Sequence, residues 1–84
     1  MKSYIITFRS ITFAQRGEKV LQGRGYACYL RRTPRWMEER GCGYCLQLTV
    51  GDIREPIALL RQDEIPMRKV YVQTGNGTMT EVPL

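Results

Sequence analysis

Two cysteines that stand three positions apart, Cys42 and Cys45, are the residues of this chain best suited to chemistry. They belong to the segment RGCGYC at residues 40–45, in which Gly41 and Gly43 flank the first cysteine. A thiolate acts as a nucleophile, a metal ligand or half of a disulfide, depending on its surroundings. Glycine on both sides leaves the backbone of Cys42 unobstructed, so a partner can approach it closely. Cys42 is therefore the candidate reactive thiol, and Cys45 is a candidate resolving thiol.

Arginines are concentrated just before this cysteine pair. A shift of the thiol pKa from about 8.5 to about 6.5 needs roughly 2.7 kcal/mol in favour of the anion. A guanidinium within about 4 Å contributes roughly 1 kcal/mol in water and about 4 kcal/mol at an effective dielectric of ~20. One or two of the nearest arginines would suffice, which makes Arg32, Arg35 and Arg40 candidate binding residues together with Gly41 and Gly43. Five arginines fall within seventeen residues: Arg24, Arg31, Arg32, Arg35 and Arg40.

The cysteine pair permits other interpretations. One CxxC pair without histidine is half of a zinc or iron–sulfur site, so we expect no metal. A dithiol redox pair is the main alternative, although thiols three apart in extended chain lie about 10 Å from each other, and a disulfide needs Cα atoms within about 7 Å. Gly43 could bend the chain and restore that geometry. From the residues alone, a carrier thiol and an inert glycine turn are about equally well supported.

Nucleic-acid binding is a third possibility, because RGCGYCLQ resembles the signature of an RNA-recognition strand. The stacking aromatic that the signature needs is replaced by Cys42. The signature would also bury Gln47 and expose Leu46, whereas the apolar alternation of the strand requires the reverse, and a slip of one residue exchanges the two faces. We therefore expect no RNA platform on this strand.

Hydrophobic periodicity predicts the elements that position the site. Strands are expected at residues 4–8, 26–30, 44–50 and 68–74, and Gly75–Gly77 predicts a hairpin to an additional edge strand. One helix follows Ser10 as N-cap, with Gly17 close to the sheet, and a second is capped by Asp52 or Glu55. The order predicts an α+β, ferredoxin-like two-layer sandwich (βαββαβ), with an antiparallel sheet and both helices on one face.

Length and composition limit the function further. The 84 residues suffice for one domain, residues 1–84, and no apolar run approaches the ~20 residues of a membrane helix. Three cysteines and no signal-peptide core indicate a cytoplasmic protein. The net charge of +5 suits anionic partners, and the absence of histidine removes the usual base of Ser/His or Cys/His hydrolases. We expect a carrier or binding protein and not an enzyme.

Cys28 and Trp36 are two further notable residues outside the pair. Cys28 alternates with Tyr26 and Leu30, so we expect it to be a buried, inert thiol of the core. Trp36 is either a lid over local apolar surface or an exposed contact for a partner, and the sequence does not decide between them.

Three segments of the chain resemble a known family: YIITFRSITFAQRGEKVL, LRRTPRWMEERGCGYCLQL and KVYVQ. The family is that of small bacterial selenium/sulfur (Se/S) carrier protein-like domains, and the most specific part is Thr33-Pro34-Arg35 followed by Cys42-Gly43. The resemblance implies that Cys42 carries sulfur or selenium as a persulfide or perselenide and that Arg35 lies nearest to it in the motif. It implies no cofactor, and as partners a donor such as a cysteine desulfurase and an acceptor protein. Homo-oligomers remain open, and neither a membrane nor nucleic acid is expected as a partner.

Overall fold

The computed structural model describes residues 1–37 and 43–84. These residues form five β-strands, two α-helices and one 3-10 helix. The elements in chain order are β1 (Lys2–Thr7), α1 (Ile11–Gly23), β2 (Cys28–Arg32), the 3-10 helix (Arg35–Met37), β3 (Tyr44–Val50), α2 (Arg54–Gln62), β4 (Val70–Gln73) and β5 (Met79–Val82). The predicted succession of strands and helices is confirmed. Neither described helix is long and apolar enough to cross a membrane.

The strands form one antiparallel sheet in the order β2-β3-β1-β4-β5. β1 lies in the middle, where it pairs with β3 on one side and β4 on the other. β3, which follows the cysteine pair, is an interior strand between β1 and β2. The two edges of the sheet are therefore β2 and β5.

The alternation predicted for β3 is confirmed. Leu46, Leu48 and Val50 are buried in the main core together with residues of both helices, so the helices cover this face of the sheet. Cys45 belongs instead to a small second cluster with Ile5 and Tyr71. We call the side of the sheet that carries this second cluster the open face, and β3 contributes Cys45, Gln47 and Thr49 to it.

Helix α1 begins and packs as the sequence predicts. The Ser10 side chain accepts a hydrogen bond from the Phe13 N–H at 3.2 Å and so caps the helix. Gly17 is buried against the sheet and α2, and a Cβ there would lie 3.2 Å from Leu46 Cδ1 and 3.3 Å from Phe8 Cζ. The glycine therefore allows α1 to approach the sheet closely.

The predicted boundaries of β2 are wrong. We expected a strand at residues 26–30, but β2 spans Cys28–Arg32. The Tyr26 N–H donates to the Leu21 carbonyl oxygen at 3.0 Å, and the Gly25 N–H donates to the Gln22 carbonyl oxygen at 3.0 Å. These bonds end α1, so the backbone before Cys28 closes the helix instead of joining the sheet.

The start of α2 differs in detail from the prediction. Its N-cap is Ile53, which has no polar side chain and makes no capping bond. Asp52 accepts from the Arg54 N–H at 3.0 Å, and Glu55 lies within the first turn. Asp52 thus satisfies an unpaired helix N–H from one position farther out.

The terminal hairpin is confirmed. β5 pairs with β4 along Met79–Val82, and Thr74 and Thr78 close the turn with a backbone bond of 2.8 Å. Gly77 has φ +86, a left-handed conformation that glycine adopts without a steric cost. The β1 and β4 strands also form, with bounds of Lys2–Thr7 and Val70–Gln73 that differ slightly from the expected ones.

Candidate functional site

Most of the predicted site residues belong to the loop between β2 and β3: Arg35, Arg40, Gly41 and Cys42. Arg32 is the last residue of β2, Gly43 directly precedes β3, and Cys45 lies in β3. The last register pair of this hairpin is Arg32 opposite Tyr44. Beyond it, the Thr33 N–H donates to the Gly43 carbonyl oxygen at 3.0 Å. The chain between these residues therefore leaves and rejoins the sheet at the same place.

Three predicted site residues, Cys42, Arg40 and Gly41, lie outside the described residues. Their roles stay predictions from the sequence. The structure describes the other candidates, which are Arg32, Arg35, Gly43 and Cys45.

Gly43 turns the chain immediately before β3. Its φ of +82 lies in the left-handed region, which costs an ordinary L-residue roughly 1–2 kcal/mol but costs glycine little. The glycine at this position is thus required by the backbone conformation. The chain is therefore not extended at Gly43, two residues before Cys45.

Arg32 is held at the end of the hairpin by Tyr44. The guanidinium carbon lies 5.3 Å from the centre of the Tyr44 ring, a cation–π arrangement, and an Arg32 N–H donates to the Tyr44 hydroxyl at 3.3 Å. Arg31 lies on the other face, where it donates to Gln47 Oε1 at 2.6 Å. The two adjacent arginines therefore place their charges on opposite sides of the hairpin.

Arg35 and Trp36 belong to the 3-10 helix that follows β2, and both are exposed. The Trp36 ring makes an edge contact with the ring of Tyr71, with the two ring centres 5.5 Å apart. Tyr71 belongs to β4, which is separated from β2 by β3 and β1, so Trp36 lies over the open face. Trp36 therefore contacts Tyr71 while 60% of its surface stays exposed.

Cys45 lies on the open face with no exposed surface. Its register partners are Thr7 on β1 and Arg31 on β2, and its apolar neighbours are Ile5 and Tyr71. A reagent in solution does not reach this thiol in the observed conformation. The role of Cys45 as a resolving thiol therefore requires rearrangement of the residues that cover it.

Cys28 is buried in the main core, as predicted, with 3% of its surface exposed. Its thiol donates a hydrogen bond to the Glu18 carbonyl oxygen at 3.7 Å. Burial, followed by the negative charge of Glu18, raises the pKa of Cys28 to about 11. The thiol is therefore protonated at neutral pH, which suits an inert structural residue.

The structure disfavours an RNA platform on β1 and β3. Gln47 lies on the open face, where it donates to Ser3 Oγ at 3.3 Å. Tyr44 precedes Leu46 by two residues on β3, so it lies on the opposite face, which the helices cover. Neither β1 nor β3 places an aromatic side chain on the open face. The two central strands thus lack the stacking residues that this mode of recognition needs.

Metal ligands are not grouped in the part of the chain that the structure describes. Within residues 1–37 and 43–84, no three His, Cys, Asp or Glu side chains lie close enough together to hold a metal ion.

Comparisons with known proteins identify the family. A family model described as "Putative Se/S carrier protein-like" matches residues 3–72, which include both cysteines of the pair and the loop arginines. The searches of curated proteins and of solved structures each found no significant match. Because the family model covers most of the 84 residues, the chain belongs to the Se/S carrier protein-like family.

Proposed function

We propose that this protein carries sulfur or selenium on Cys42, as a persulfide or perselenide, and passes the atom to an acceptor. The observation that carries the proposal is the family match over residues 3–72, which spans Cys42 and the Thr33-Pro34-Arg35 motif before it. The carrier family name supports a role in transfer and not in catalysis. The chain needs no cofactor for this role, because the thiol itself holds the cargo.

The proposed loading step is a thiol exchange. The Cys42 thiolate attacks the outer sulfur of a donor persulfide, a new sulfur–sulfur bond forms, and the old one breaks. The bonding electrons leave with the inner sulfur of the donor, which departs as a thiolate. Unloading repeats the step, because an acceptor nucleophile attacks the terminal atom and Cys42 departs as the thiolate. No external oxidant or reductant is consumed in either direction.

The charge of the hairpin supports this chemistry. Arg32 and Arg35 lie at the start of the loop, and Arg40 is two residues before Cys42 in the sequence. Cations close to a thiol favour the thiolate and also a terminal sulfur or selenium anion. Gly41 and Gly43 flank Cys42 in the sequence and have no side chains that could crowd it. We assign Arg32, Arg35 and Arg40 to anion stabilisation and to docking of an acidic donor or acceptor protein.

We also assign a ferredoxin-like topology to the chain. The assignment is supported by the order β2-β3-β1-β4, with both helices on one face and β5 added beside β4. In this arrangement the β2–β3 loop emerges at one end of the sheet. We place the protein in the cytoplasm, where thiols stay reduced and a persulfide carrier can be reloaded.

A dithiol redox module of Cys42 and Cys45 is the second candidate. The left-handed turn at Gly43 favours it, since a bent chain brings thiols three apart closer than an extended one does. The full burial of Cys45 opposes it. In this mode the two thiols would each lose a hydrogen, and the acceptor of those electrons would be an external disulfide.

The decisive experiment measures the intact mass of the protein after incubation with a cysteine desulfurase and cysteine. We expect a gain of one sulfur atom, and subsequent treatment with a reductant should remove it. Loss of two hydrogens would instead support the disulfide, and an unchanged mass would contradict both functions.

Single substitutions assign the modified thiol. Cys42→Ser is expected to abolish the gain of sulfur, and Cys28→Ser provides the matched control that retains it. Cys45→Ser separates the two candidates, because it leaves a persulfide carrier loaded but eliminates a disulfide. Loading that survives in Cys42→Ser would overturn the assignment of the carrier residue.

A further inference from the structure

Strand β2 is an edge of the sheet, yet two side chains of α1 occupy its outer backbone groups. The Leu30 N–H donates to Glu18 Oε2 at 2.7 Å. Gln22 Nε2 donates to the Cys28 carbonyl oxygen, also at 2.7 Å. In an antiparallel sheet, every second residue of an edge strand directs its N–H and C=O outward, where another strand can pair with them.

We propose that Glu18 and Gln22 seal the β2 edge against strand addition by a second copy of this chain. The two residues are four positions apart and so lie on the same side of α1, facing the edge together. Glu18 supplies an acceptor where the strand presents a donor, and Gln22 supplies a donor where it presents an acceptor. Each bond occupies a group that an added strand would need.

A second copy is the occupant that the composition of β2 favours. In an antiparallel pair of two β2 strands centred on Leu30, the Leu30 N–H of each copy would bond to Leu30 of the other. Tyr29, which is 55% exposed on the open face, would lie opposite Arg31 of the other copy. An aromatic ring and a guanidinium attract each other in that arrangement, so β2 is complementary to itself. Glu18 blocks the central bond of this pairing.

The other edge of the sheet is protected by its sequence instead. β5 has four residues, and Pro83, which lacks an N–H, follows directly. Its Glu81 carboxylate lies 4.0 Å from Lys69 Nζ, and edge strands that are short and charged pair poorly with other chains. β2 has no proline, and its two charged residues, Arg31 and Arg32, lie at its C-terminal end, so we assign the protection of Cys28 and Leu30 to α1.

The test compares the association state of wild type and of Glu18→Ala/Gln22→Ala by sedimentation equilibrium over a range of concentrations. We expect the double variant to associate at concentrations where wild type does not. Hydrogen exchange supplies the second readout, because loss of a charge-assisted bond should accelerate exchange of the Leu30 amide by about tenfold or more in dilute Glu18→Ala.

Two control variants isolate the seal from general effects on α1. Glu18→Gln keeps an acceptor for the Leu30 N–H, so it should remain as unassociated as wild type. Gln15→Ala removes an exposed amide from the same helix and should change nothing. If the double variant does not fold, exchange of the Leu30 amide in Glu18→Ala decides the question.

Two results would overturn the inference. One is a folded double variant with the wild-type association state. The other is a Leu30 amide that exchanges equally fast in wild type and Glu18→Ala. The inference does not depend on the proposed carrier function, so it would hold even if the protein took up no sulfur.

Discussion

Cys28 and Cys45 are both buried, but on opposite faces of the sheet. Cys28 lies under α1 in the main core, and Cys45 lies on the open face beside Tyr71. The proposed carrier function needs one thiol that a donor can reach. Burial of both residues leaves Cys42 as the thiol that we expect donors to meet.

The raised pKa of Cys28 gives a measurable result. With a pKa of about 11, Cys28 should resist alkylation in the folded protein from neutral pH to about pH 9 and react faster only above that. The raised pKa also contributes to the stability of the fold, because the folded protein holds the Cys28 proton more tightly than the unfolded chain does. That contribution is complete below the ordinary thiol pKa and is lost as pH rises toward 11. Mass-resolved alkylation against pH tests this, and rapid modification of Cys28 at pH 7 would contradict it.

Cys42 should be the most reactive thiol, and its reactivity should depend on the loop arginines. Replacing Arg35 or Arg40 by Gln should raise the pKa of Cys42, because the lost positive charge no longer favours the thiolate. The measurement is the alkylation rate of each cysteine against pH.

Arg24→Gln is the matched control for this prediction, because Arg24 lies at the end of α1 and not in the loop. It removes the same charge and should leave the titration of Cys42 unchanged. A Cys42 that titrates at the ordinary thiol pKa of about 8.5 and is unaffected by both loop substitutions would contradict the idea of an activated thiol.

For individual residues, the sequence correctly predicted the features that depend on the alternation of side chains along a strand. The alternation of Leu46, Leu48 and Val50 assigned Cys45 to the opposite face, and Cys28 followed from its own strand in the same way. The contact of Trp36 with Tyr71 could not be predicted, because it joins residues far apart in the chain. The bond from Leu30 to Glu18 was missed for the same reason.

Among the elements, α1 depends on one small residue. Gly17→Ala gains helix propensity, up to about 1 kcal/mol, but overpacking of a well-filled core typically costs about 1–3 kcal/mol. The new Cβ would lie 3.2 Å from Leu46 Cδ1, so we expect a net loss of roughly 1 kcal/mol and a thermal midpoint lower by about 4–8 °C.

Gly23→Ala is the matched control, because a Cβ at Gly23 meets no atom within 4 Å. Thermal unfolding of both variants by circular dichroism separates packing from helix propensity. A Gly17→Ala protein at least as stable as wild type would show that α1 can move away from the sheet at little cost.

The β2–β3 loop gives a second prediction about an element. Trp36→Ala removes the ring that contacts Tyr71, and we expect the loop to cover the open face less tightly. Cys45 should then become accessible to alkylation, with a rate at least several times that of wild type, while Cys28 stays protected. Tyr29→Ala removes an exposed ring from β2 and should not change the accessibility of Cys45. An unchanged Cys45 rate in Trp36→Ala would show that other residues cover the thiol.

The sequence located most elements well but misjudged where the chain passes from one to the next. β3 was predicted with its observed bounds, since its alternation is long and regular. β2 was displaced because Tyr26 has the composition of a strand residue while its N–H closes α1. Such a competition between a helix end and a strand start is decided by tertiary packing and not by local propensity.

At the scale of the whole molecule, the net charge of +5 raises the question of which anion it serves. A basic surface attracts nucleic acid without sequence preference, and that attraction weakens steeply with salt. Tight binding of single strands also needs exposed aromatic rings on which bases stack. The described central strands offer none on the open face, and Tyr44 is engaged with Arg32.

We therefore expect only weak binding of single-stranded RNA, lost as salt approaches physiological concentration. Tyr44→Ala should not change it, because stacking on Tyr44 makes no contribution, and Tyr29→Ala tests the one β2 ring that is exposed on the open face. Fluorescence anisotropy at two salt concentrations measures both effects. Micromolar affinity that persists at physiological salt and disappears in Tyr44→Ala would assign the basic charge to RNA. Salt-sensitive binding that ignores both substitutions would leave it to acidic protein partners and to the sulfur or selenium anion, since these need charge but no stacking surface.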